Sequence, residues 1–221
     1  MKLREILNGV AALPREAVSL IERRAELVET GKGVTIVEAG EVCRYLYFVG
    51  EGIVRGYSLV DGREVTFWIG AEGSVALSMQ SYINSRPGYE SIVTLEPCRL
   101  YRIAVKDMQE LYSTDIDIAN WGRKFAENEI LRAERSLIPM LHTTGRERYE
   151  RLLSEHPELL RRIPLGDLAT YLGLTPVSLS RIRSRLADKG KKKTTPTEYC
   201  LRLCYTVGVR RLELPTSTSR T

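Results

Sequence analysis

Apolar residues at the start of the chain recur three or four positions apart, which predicts α-helix across much of residues 1–30. From Gly31 onward the pattern changes to short runs of β-branched and aromatic residues separated by turns that contain glycine. Strands this short, spaced by roughly 8–12 residues, are typical of a sandwich or barrel rather than a parallel sheet. The runs are Gly33–Val37, Tyr45–Val49, Gly52–Val60, Glu64–Ile69, Ser91–Leu95 and Arg99–Ile103. Asp61 and Gly62 separate two runs and predict a tight hairpin, so residues 33–103 are expected to form a small β domain.

Helical periodicity returns near Val105 and dominates from Asp115 to Leu141. One stripe of apolar and small residues runs along this segment: Ala119, Gly122, Ala126, Ile130, Ala133, Leu137 and Met140. A helix of about 27 residues is about 40 Å long, longer than a small β domain is wide. The helix could pack on its own β domain, but its length favours self-association. Pro139 predicts that the helix kinks or stops there, and residues 139–145 are the predicted hinge.

Charge divides the chain at this hinge. Residues 1–145 contain 17 Lys and Arg against 20 Asp and Glu, whereas the rest of the chain contains 16 against 8. A basic C-terminal part is typical of contact with a polyanion, although a solvated lysine face is an equal alternative on charge alone.

The segment 164–186 carries the pattern of a helix-turn-helix. Leucines give the first helix an apolar face, and the small Ala169 is expected where the two helices cross. Gly173 can adopt the left-handed conformation of the turn. Thr175 can cap the second helix and Pro176 suits its first position. Leu179, Ile182 and Leu186 then form the buried face of the second helix.

The start of a recognition helix is the part that reaches base edges. Arg181 is the predicted base reader, since its guanidinium can form a bidentate pair with guanine. Other residues of this region are expected to contact bases or phosphates. The predicted DNA-binding residues are Thr175, Val177, Ser178, Arg181, Arg183 and Arg185.

Composition excludes several other classes of protein. No apolar stretch approaches the ~20 residues of a membrane span, and the N-terminus lacks the pattern of a secretory signal. Four cysteines and two histidines predict neither a disulfide scaffold nor a metal site. No histidine adjoins a plausible nucleophile and no glycine-rich phosphate loop is present, so the sequence does not predict an enzyme. A cytoplasmic protein is expected.

The order of these elements, with residues 39–54 (AGEVCRYLYFVGEGIV) and 175–183 (TPVSLSRIR), resembles the CRP/FNR family of bacterial transcription regulators. The resemblance covers about residues 1–190 and is greatest to members from the Bacteroidetes. It implies an α+β fold with an N-terminal β-roll that is jelly-roll-like and cyclic-nucleotide-binding-like, a long dimerisation helix and a C-terminal winged helix-turn-helix domain. It further implies a homodimer that reads palindromic double-stranded DNA, a small-molecule effector, and RNA polymerase as a further partner. The expected domains are 1–114 (sensor), 115–142 (dimerisation helix), 143–190 (DNA-binding) and 191–221 (basic tail).

The expected effector pocket departs from the family pattern. The resemblance places it at Glu72, Gly73, Ser74, Arg86, Tyr89, Glu90 and Ser91. Gly88 stands where family members that bind nucleotides carry an arginine on the cyclic phosphate, and Glu90 stands where they carry a small alanine. An added anion repels a phosphate, which argues against cyclic AMP unless the loop shifts by two residues and Arg86 substitutes. The cysteine cluster of the iron–sulfur sensors is also missing, so no cofactor is predicted.

Residues 191–221 form the second departure, because many relatives end near Gly190 or continue into a wing. One interpretation is a hairpin about Gly208, with the lysines of residues 189–193 on phosphates, and the other is a spliced, misread or disordered extension. Cys200 and Cys204 lack a second pair of ligands, so metal binding is not predicted there. This tail keeps a second hypothesis open: a ligand-binding or interaction module whose DNA-binding domain is degenerate.

Overall fold

The computed structural model describes residues 1–190, with side chains through residue 186. The tail interpretations, which include the wing, Cys200 and Cys204, lie outside the described residues. Residues 1–180 form one compact unit, and a second unit begins at Arg181. The predicted domain boundaries remain predictions.

Helices and strands alternate in blocks along the described chain. The helices are α1 (Leu3–Val10), α2 (Arg15–Glu22), α3 (Met79–Asn84), α4 (Val105–Thr114), α5 (Ile116–His142), α6 (Gly145–Glu155), α7 (Leu159–Arg162), α8 (Leu165–Tyr171) and α9 (Pro176–Gly190). The strands are β1 (Glu26–Thr30), β2 (Thr35–Val37), β3 (Tyr45–Glu51), β4 (Val54–Val60), β5 (Arg63–Gly70), β6 (Val75–Ala76), β7 (Ser91–Thr94) and β8 (Cys98–Ala104).

The strands form two antiparallel four-stranded sheets, with strand orders β1-β8-β3-β6 and β2-β7-β4-β5. One apolar cluster draws residues from both sheets, among them Val49 of β3 and Ile92 of β7. A second cluster joins the first sheet to α1, α2, α4 and α5 through residues such as Phe48 and Trp121. Because successive strand side chains point to opposite faces, β3 serves both clusters. The predicted α+β fold with an N-terminal β-roll is confirmed.

The β4–β5 hairpin turns at Asp61 and Gly62, which have φ values of 51° and 74°. Positive φ at both central positions is the requirement of a type I′ turn, so the predicted hairpin is confirmed.

The helical prediction for residues 1–30 is wrong at its end, where Glu26–Thr30 form β1. This strand pairs with β8, in register from Glu26 opposite Arg102 to Thr30 opposite Cys98. Pairing with a strand some 70 positions later overrides the local pattern, since β-strand formation depends on the partner. Strand β6 and helix α3 were also not predicted.

The long helix α5 does not stop at Pro139 but continues to His142. Thr143 closes the helix by donating its backbone N–H to the Pro139 carbonyl at 2.9 Å. The connector to α6 is therefore only Thr143 and Thr144, shorter than the predicted hinge of residues 139–145. Thr144 caps α6 in a reciprocal pair with Glu147.

Candidate functional site

A cavity of about 370 Å³ lies between the second sheet and α5. The second sheet and the loop before β7 contribute Gly56, Phe67, Trp68, Ile69, Tyr89, Glu90 and Ile92, while β6, α3 and the loop between them contribute Val75, Leu77 and Met79. Helix α5 contributes Phe125, Glu129, Ile130, Arg132, Ala133 and Ser136, and α8 contributes Tyr171. Its size falls in the range of about 300–1,000 Å³ that is usual for small-molecule sites. The lining is mostly apolar and aromatic, with three acidic or basic side chains, those of Glu90, Glu129 and Arg132.

Two of the residues predicted for the pocket, Tyr89 and Glu90, line this cavity. The other predicted pocket residues are not part of its lining: Glu72, Gly73, Ser74, Arg86 and Ser91.

The five others have structural partners or lie at the surface. Glu72 accepts a hydrogen bond from Gly52 N–H at 2.9 Å. Gly73 has a φ of +90° in the turn that precedes β6, and Ser74 accepts from Val49 N–H at 2.9 Å. Ser91 accepts from the Ala39 N–H at 3.1 Å. Arg86 is exposed.

The loop that ends at Glu90 is fixed through Gly88. Gly88 accepts from Gly40 N–H at 2.8 Å and donates to the Glu41 carbonyl at 3.2 Å. A Cβ atom at Gly88 would overlap Ser78 Oγ and lie 3.1 Å from Glu90 Oε2. A side chain at this position therefore requires Ser78 to move, and the two backbone bonds oppose a shift of the loop by two residues.

Helix α5 has two apolar faces. Ile118, Trp121 and Phe125 are buried against the β-roll, and Trp121 donates its indole N–H to the Leu7 carbonyl at 2.8 Å. The predicted stripe follows an adjacent face, where Ile130 and Ala133 border the cavity but Ile130 is still 65% exposed and Leu137 is 60% exposed. The C-terminal half of α5 thus presents a row of apolar side chains to solvent.

Arg55 connects the second sheet to α8. Its side chain is almost fully buried, and its guanidinium lies 2.7 Å from Asp167 and 2.6 Å from Glu64. Its Nε donates to Thr66 Oγ1 at 2.8 Å, and the guanidinium stacks over the Tyr57 ring at 4.5 Å. The group thereby ties β4 and β5 to the first helix of the predicted helix-turn-helix. We call Arg55, Glu64, Thr66 and Asp167 the Arg55 cluster.

Arg162 at the end of α7 makes a second connection. Its guanidinium donates to both oxygens of Glu72, at 2.6 and 3.1 Å, and also to Glu96. The hydrogen bonds from Arg162 lower the pKa of Glu72 to about 2. The two carboxylates belong to loops of the β-roll, so this arginine holds α7 against it.

The junction between α8 and α9 has the geometry that the sequence predicts. Gly173 has a φ of +64° and donates to the Thr170 carbonyl at 3.0 Å, while Leu174 N–H donates to the Ala169 carbonyl at 2.8 Å. This pair of bonds is the Schellman arrangement that ends a helix. Ala169 is fully buried, and Thr175 Oγ1 accepts from Ser178 N–H at 3.2 Å, which caps α9.

The predicted DNA-binding residues lie at or beyond this junction. Val177 is 61% exposed, and Thr175, Arg181, Arg183 and Arg185 are also exposed. Ser178 is half-buried, with its hydroxyl 2.9 Å from that of Thr175. Helical spacing places Val177, Arg181 and Arg185 on one face of α9.

Within residues 1–190, no group of three or more His, Cys, Asp and Glu side chains could hold a metal ion. No helix in this part of the chain is long and apolar enough to cross a bilayer. Cys98 is buried, and burial raises the pKa of its thiol to about 11, as expected of a small core residue.

The aromatic lining of the cavity and the two connecting arginines, Arg55 and Arg162, carry no local signal in the sequence. The pattern of residues 64–69 predicts a strand that contains Phe67 and Trp68, but it does not indicate which side chain faces a cavity. Arg162 and Glu72 are 90 positions apart, and no local pattern signals such a pair.

Comparisons with known proteins identify the β-roll. Residues 27–115 match the family described as the cyclic nucleotide-binding domain. No protein of curated function matches the sequence.

The chain resembles solved structures over most of its length. FixK2 from Bradyrhizobium japonicum is 22% identical with a TM-score of 0.65, and the match covers 75% of this chain and 86% of FixK2. The c-di-GMP responsive global regulator CLP from Xanthomonas campestris is 18% identical with a TM-score of 0.65, over 80% of this chain and 93% of CLP. A transcriptional regulator of the Crp/Fnr family from Eubacterium rectale is 18% identical with a TM-score of 0.66, over 80% and 85%. At these identities the likeness establishes the fold.

Proposed function

We propose that this chain, which contains a domain of the cyclic nucleotide-binding family and has the fold of the CRP/FNR regulators, is a homodimeric, cytoplasmic DNA-binding transcription regulator. An effector binds in the β-roll cavity, and a helix-turn-helix in each protomer reads one half of a palindromic operator. The observation that carries the proposal is that α5 lines the cavity, bears the exposed apolar face and ends two residues before α6.

DNA contact is assigned to α9. Its exposed arginines and its capped N-terminus fit a recognition helix in the major groove, where Arg181 reads guanine. Arg183 and Arg185 hold phosphates and set the register. The excess of basic residues after residue 145 supports binding to a polyanion.

Dimerisation is assigned to the exposed stripe of α5. Contiguous apolar surface of this kind is uncommon on monomeric proteins and marks an interaction face. A dimer supplies two recognition helices, one for each of two half-sites about 34 Å apart.

The signal passes along α5 into the C-terminal helices. A ligand in the cavity contacts α5 between Phe125 and Ser136, and α5 ends at the connector of Thr143 and Thr144. Arg148 donates both to the Thr143 carbonyl and to the Leu172 carbonyl, so it links the connector to the end of α8. A shift of α5 thereby moves the turn between α8 and α9.

The effector is not a cyclic nucleotide in this proposal. A side chain at Gly88 would overlap Ser78, Arg86 is not part of the cavity lining, and the buried Glu90 adds negative charge to that lining. A phosphate would lack a cation beside the loop and would face an anion.

The test is selection of binding sites from a random double-stranded DNA pool by the purified full chain at one fixed salt concentration. An enriched palindrome is the expected result. Arg181→Ala should then lose preference at one base of each half-site, with a cost of about 1–3 kcal/mol for that base. Arg23→Ala is the matched control, because it removes one exposed arginine at the end of α2.

One outcome would contradict this function, and another would change the role of Arg181. Binding without enrichment of any sequence, and with a steep decline as salt rises, would favour the interaction module with a degenerate DNA-binding domain. If Arg181→Ala weakens binding to every DNA sequence equally, Arg181 contacts a phosphate rather than a base.

A further inference from the structure

Glu90 is a buried carboxylate that lines the cavity. The residue is only 4% exposed and precedes β7 in the loop fixed at Gly88. Its Oε2 accepts one hydrogen bond, from the Tyr89 N–H at 3.0 Å. Among the side chains that the structure describes, no lysine or arginine forms an ion pair with it.

A buried anion without a cation is costly, and proteins normally pair such groups. The Arg55 cluster shows the usual solution in the same β-roll, where the buried guanidinium meets two carboxylates. Glu90 lacks this compensation, although one side of it opens into the cavity. A positive charge supplied by a ligand would complete the pair.

The other charges of the cavity leave Glu90 uncompensated. Arg132 lies 2.8 Å from Glu129 on α5, so its charge is already matched within the helix. With Glu90, Glu129 and Arg132 as its charged side chains, the lining carries a net charge of −1.

Aromatic side chains form much of the remaining lining. Phe67 and Tyr89 have centroids 6.3 Å apart and are tilted by 48°, and Trp68, Phe125 and Tyr171 complete the aromatic lining. The faces of aromatic rings attract cations, and their bodies bury the apolar part of a ligand.

We infer that the cavity binds a small organic cation, a protonated amine on an apolar or aromatic body, with Glu90 as its counter-ion. This inference rests on the proposed function, since it names the chemical class of the effector. It requires a cavity that prefers a cation over a neutral molecule of the same shape, and that rejects anions.

Isothermal titration calorimetry on the full chain at pH 7 tests the preference with four probes. These are 2-phenylethylammonium, 2-phenylethanol, phenylacetate and cyclic AMP. A charge-assisted hydrogen bond to Glu90 should make the ammonium bind at least about tenfold tighter than the alcohol. Phenylacetate and cyclic AMP should bind more weakly than the alcohol.

Glu90→Gln should abolish the preference for the ammonium, because the amide keeps the shape and the acceptor for Tyr89 N–H but loses the charge. Glu134→Gln is the matched control: it removes one carboxylate from an exposed position of α5 outside the cavity lining, and it should keep the preference. Phe67 is 44% exposed, and Phe67→Leu should weaken the binding of the ammonium more than the binding of the alcohol.

The inference is overturned if no probe binds, if phenylacetate or cyclic AMP binds best, or if Glu90→Gln retains the preference. If Glu90→Gln does not fold, the order of the four probes on the unmodified chain and the effect of Phe67→Leu decide the matter. No DNA is present in this experiment. A failure of amine binding is therefore distinguishable from a failure of operator selection.

Discussion

The guanidinium of Arg55 lies 2.7 Å from the carboxylate of Asp167, which joins strand β4 to helix α8. Beside it, the hydroxyls of Thr66 and Thr170 lie 2.7 Å apart. Thr170 donates onward to the Asp167 carbonyl at 3.0 Å, so the polar contacts form a continuous chain. The first helix of the proposed DNA-binding unit is thus held on the sheet that lines the effector cavity.

Loss of the Asp167 carboxylate should loosen α8. Asp167→Asn removes one of two anions that meet the buried guanidinium, and we expect the free energy of unfolding to fall by about 1–3 kcal/mol. Burial raises the pKa of Asp167, while the charge of Arg55 opposes that rise. Because a neutral amide costs less to bury than a carboxylate, the variant regains part of the stability that it loses with the ion pair. Hydrogen exchange of the amides of α8 should accelerate, as measured by mass spectrometry.

The same change at the surface supplies the comparison for this variant. Glu29→Gln removes a carboxylate that pairs with Arg99 but is 71% exposed, and it should change stability by less than about 0.5 kcal/mol. Unchanged exchange in α8 of Asp167→Asn would mean that the ion pair does not hold this helix.

The pair of Glu72 and Arg162 should make stability depend on acid pH. The pKa of Glu72 is held at about 2, below its ordinary value of 4.5, chiefly by hydrogen bonds from Arg162. A group with a lowered pKa stabilises the fold above its unfolded pKa and loses that contribution as pH falls through the folded value. After allowance for solvent screening we expect a loss of about 1–2 kcal/mol between about pH 5 and pH 2.

Urea unfolding of Glu72→Gln at several pH values measures this contribution. The variant should be less stable than the unmodified chain at pH 7 and should show a shallower decline toward acid pH. If the free energy of unfolding falls equally steeply with pH in the two proteins, other carboxylates cause the acid sensitivity.

Local signals in the sequence were sufficient to predict the junction of α8 and α9 and the β4–β5 hairpin. Gly173, Thr175 and Pro176 each act within a few residues of their own position, so their roles can be read from neighbouring residues. Strand β1 and the partners of Arg55 and Arg162 depend on residues distant in the chain, and periodicity carries no information about them. For the same reason, two of the seven predicted pocket residues line the cavity, while its aromatic residues were found only in the structure.

The exposed stripe of α5 should control self-association. Leu137→Glu places a charge on a side chain that is 60% exposed in the single chain, and burial of that charge between two copies would be costly. We expect the dissociation constant of the dimer to rise by at least about 30-fold, which corresponds to about 2 kcal/mol, as for a central interface residue. Analytical ultracentrifugation over a concentration series provides the measurement.

Leu59→Glu is the control for a new charge at an exposed leucine. Leu59 is 68% exposed on β4, away from α5, and its variant should dimerise like the unmodified chain. If Leu137→Glu leaves the dissociation constant of the dimer unchanged, the interface lies elsewhere on the molecule.

A methyl group at Gly88 should disturb the loop that carries Glu90 into the cavity lining, whereas the same change at Gly9 should not. In Gly88→Ala the new Cβ overlaps Ser78 Oγ and approaches Glu90, and we expect a loss of about 1–3 kcal/mol from overpacking. Gly9 lies in α1 with no atom near its virtual Cβ, so Gly9→Ala should stabilise the chain by about 0.5–1 kcal/mol through helix propensity. Thermal unfolding of the two variants should therefore shift in opposite directions. If Gly88→Ala is as stable as the unmodified chain, the loop accommodates a side chain at this position, and steric overlap with Ser78 does not argue against a phosphate there.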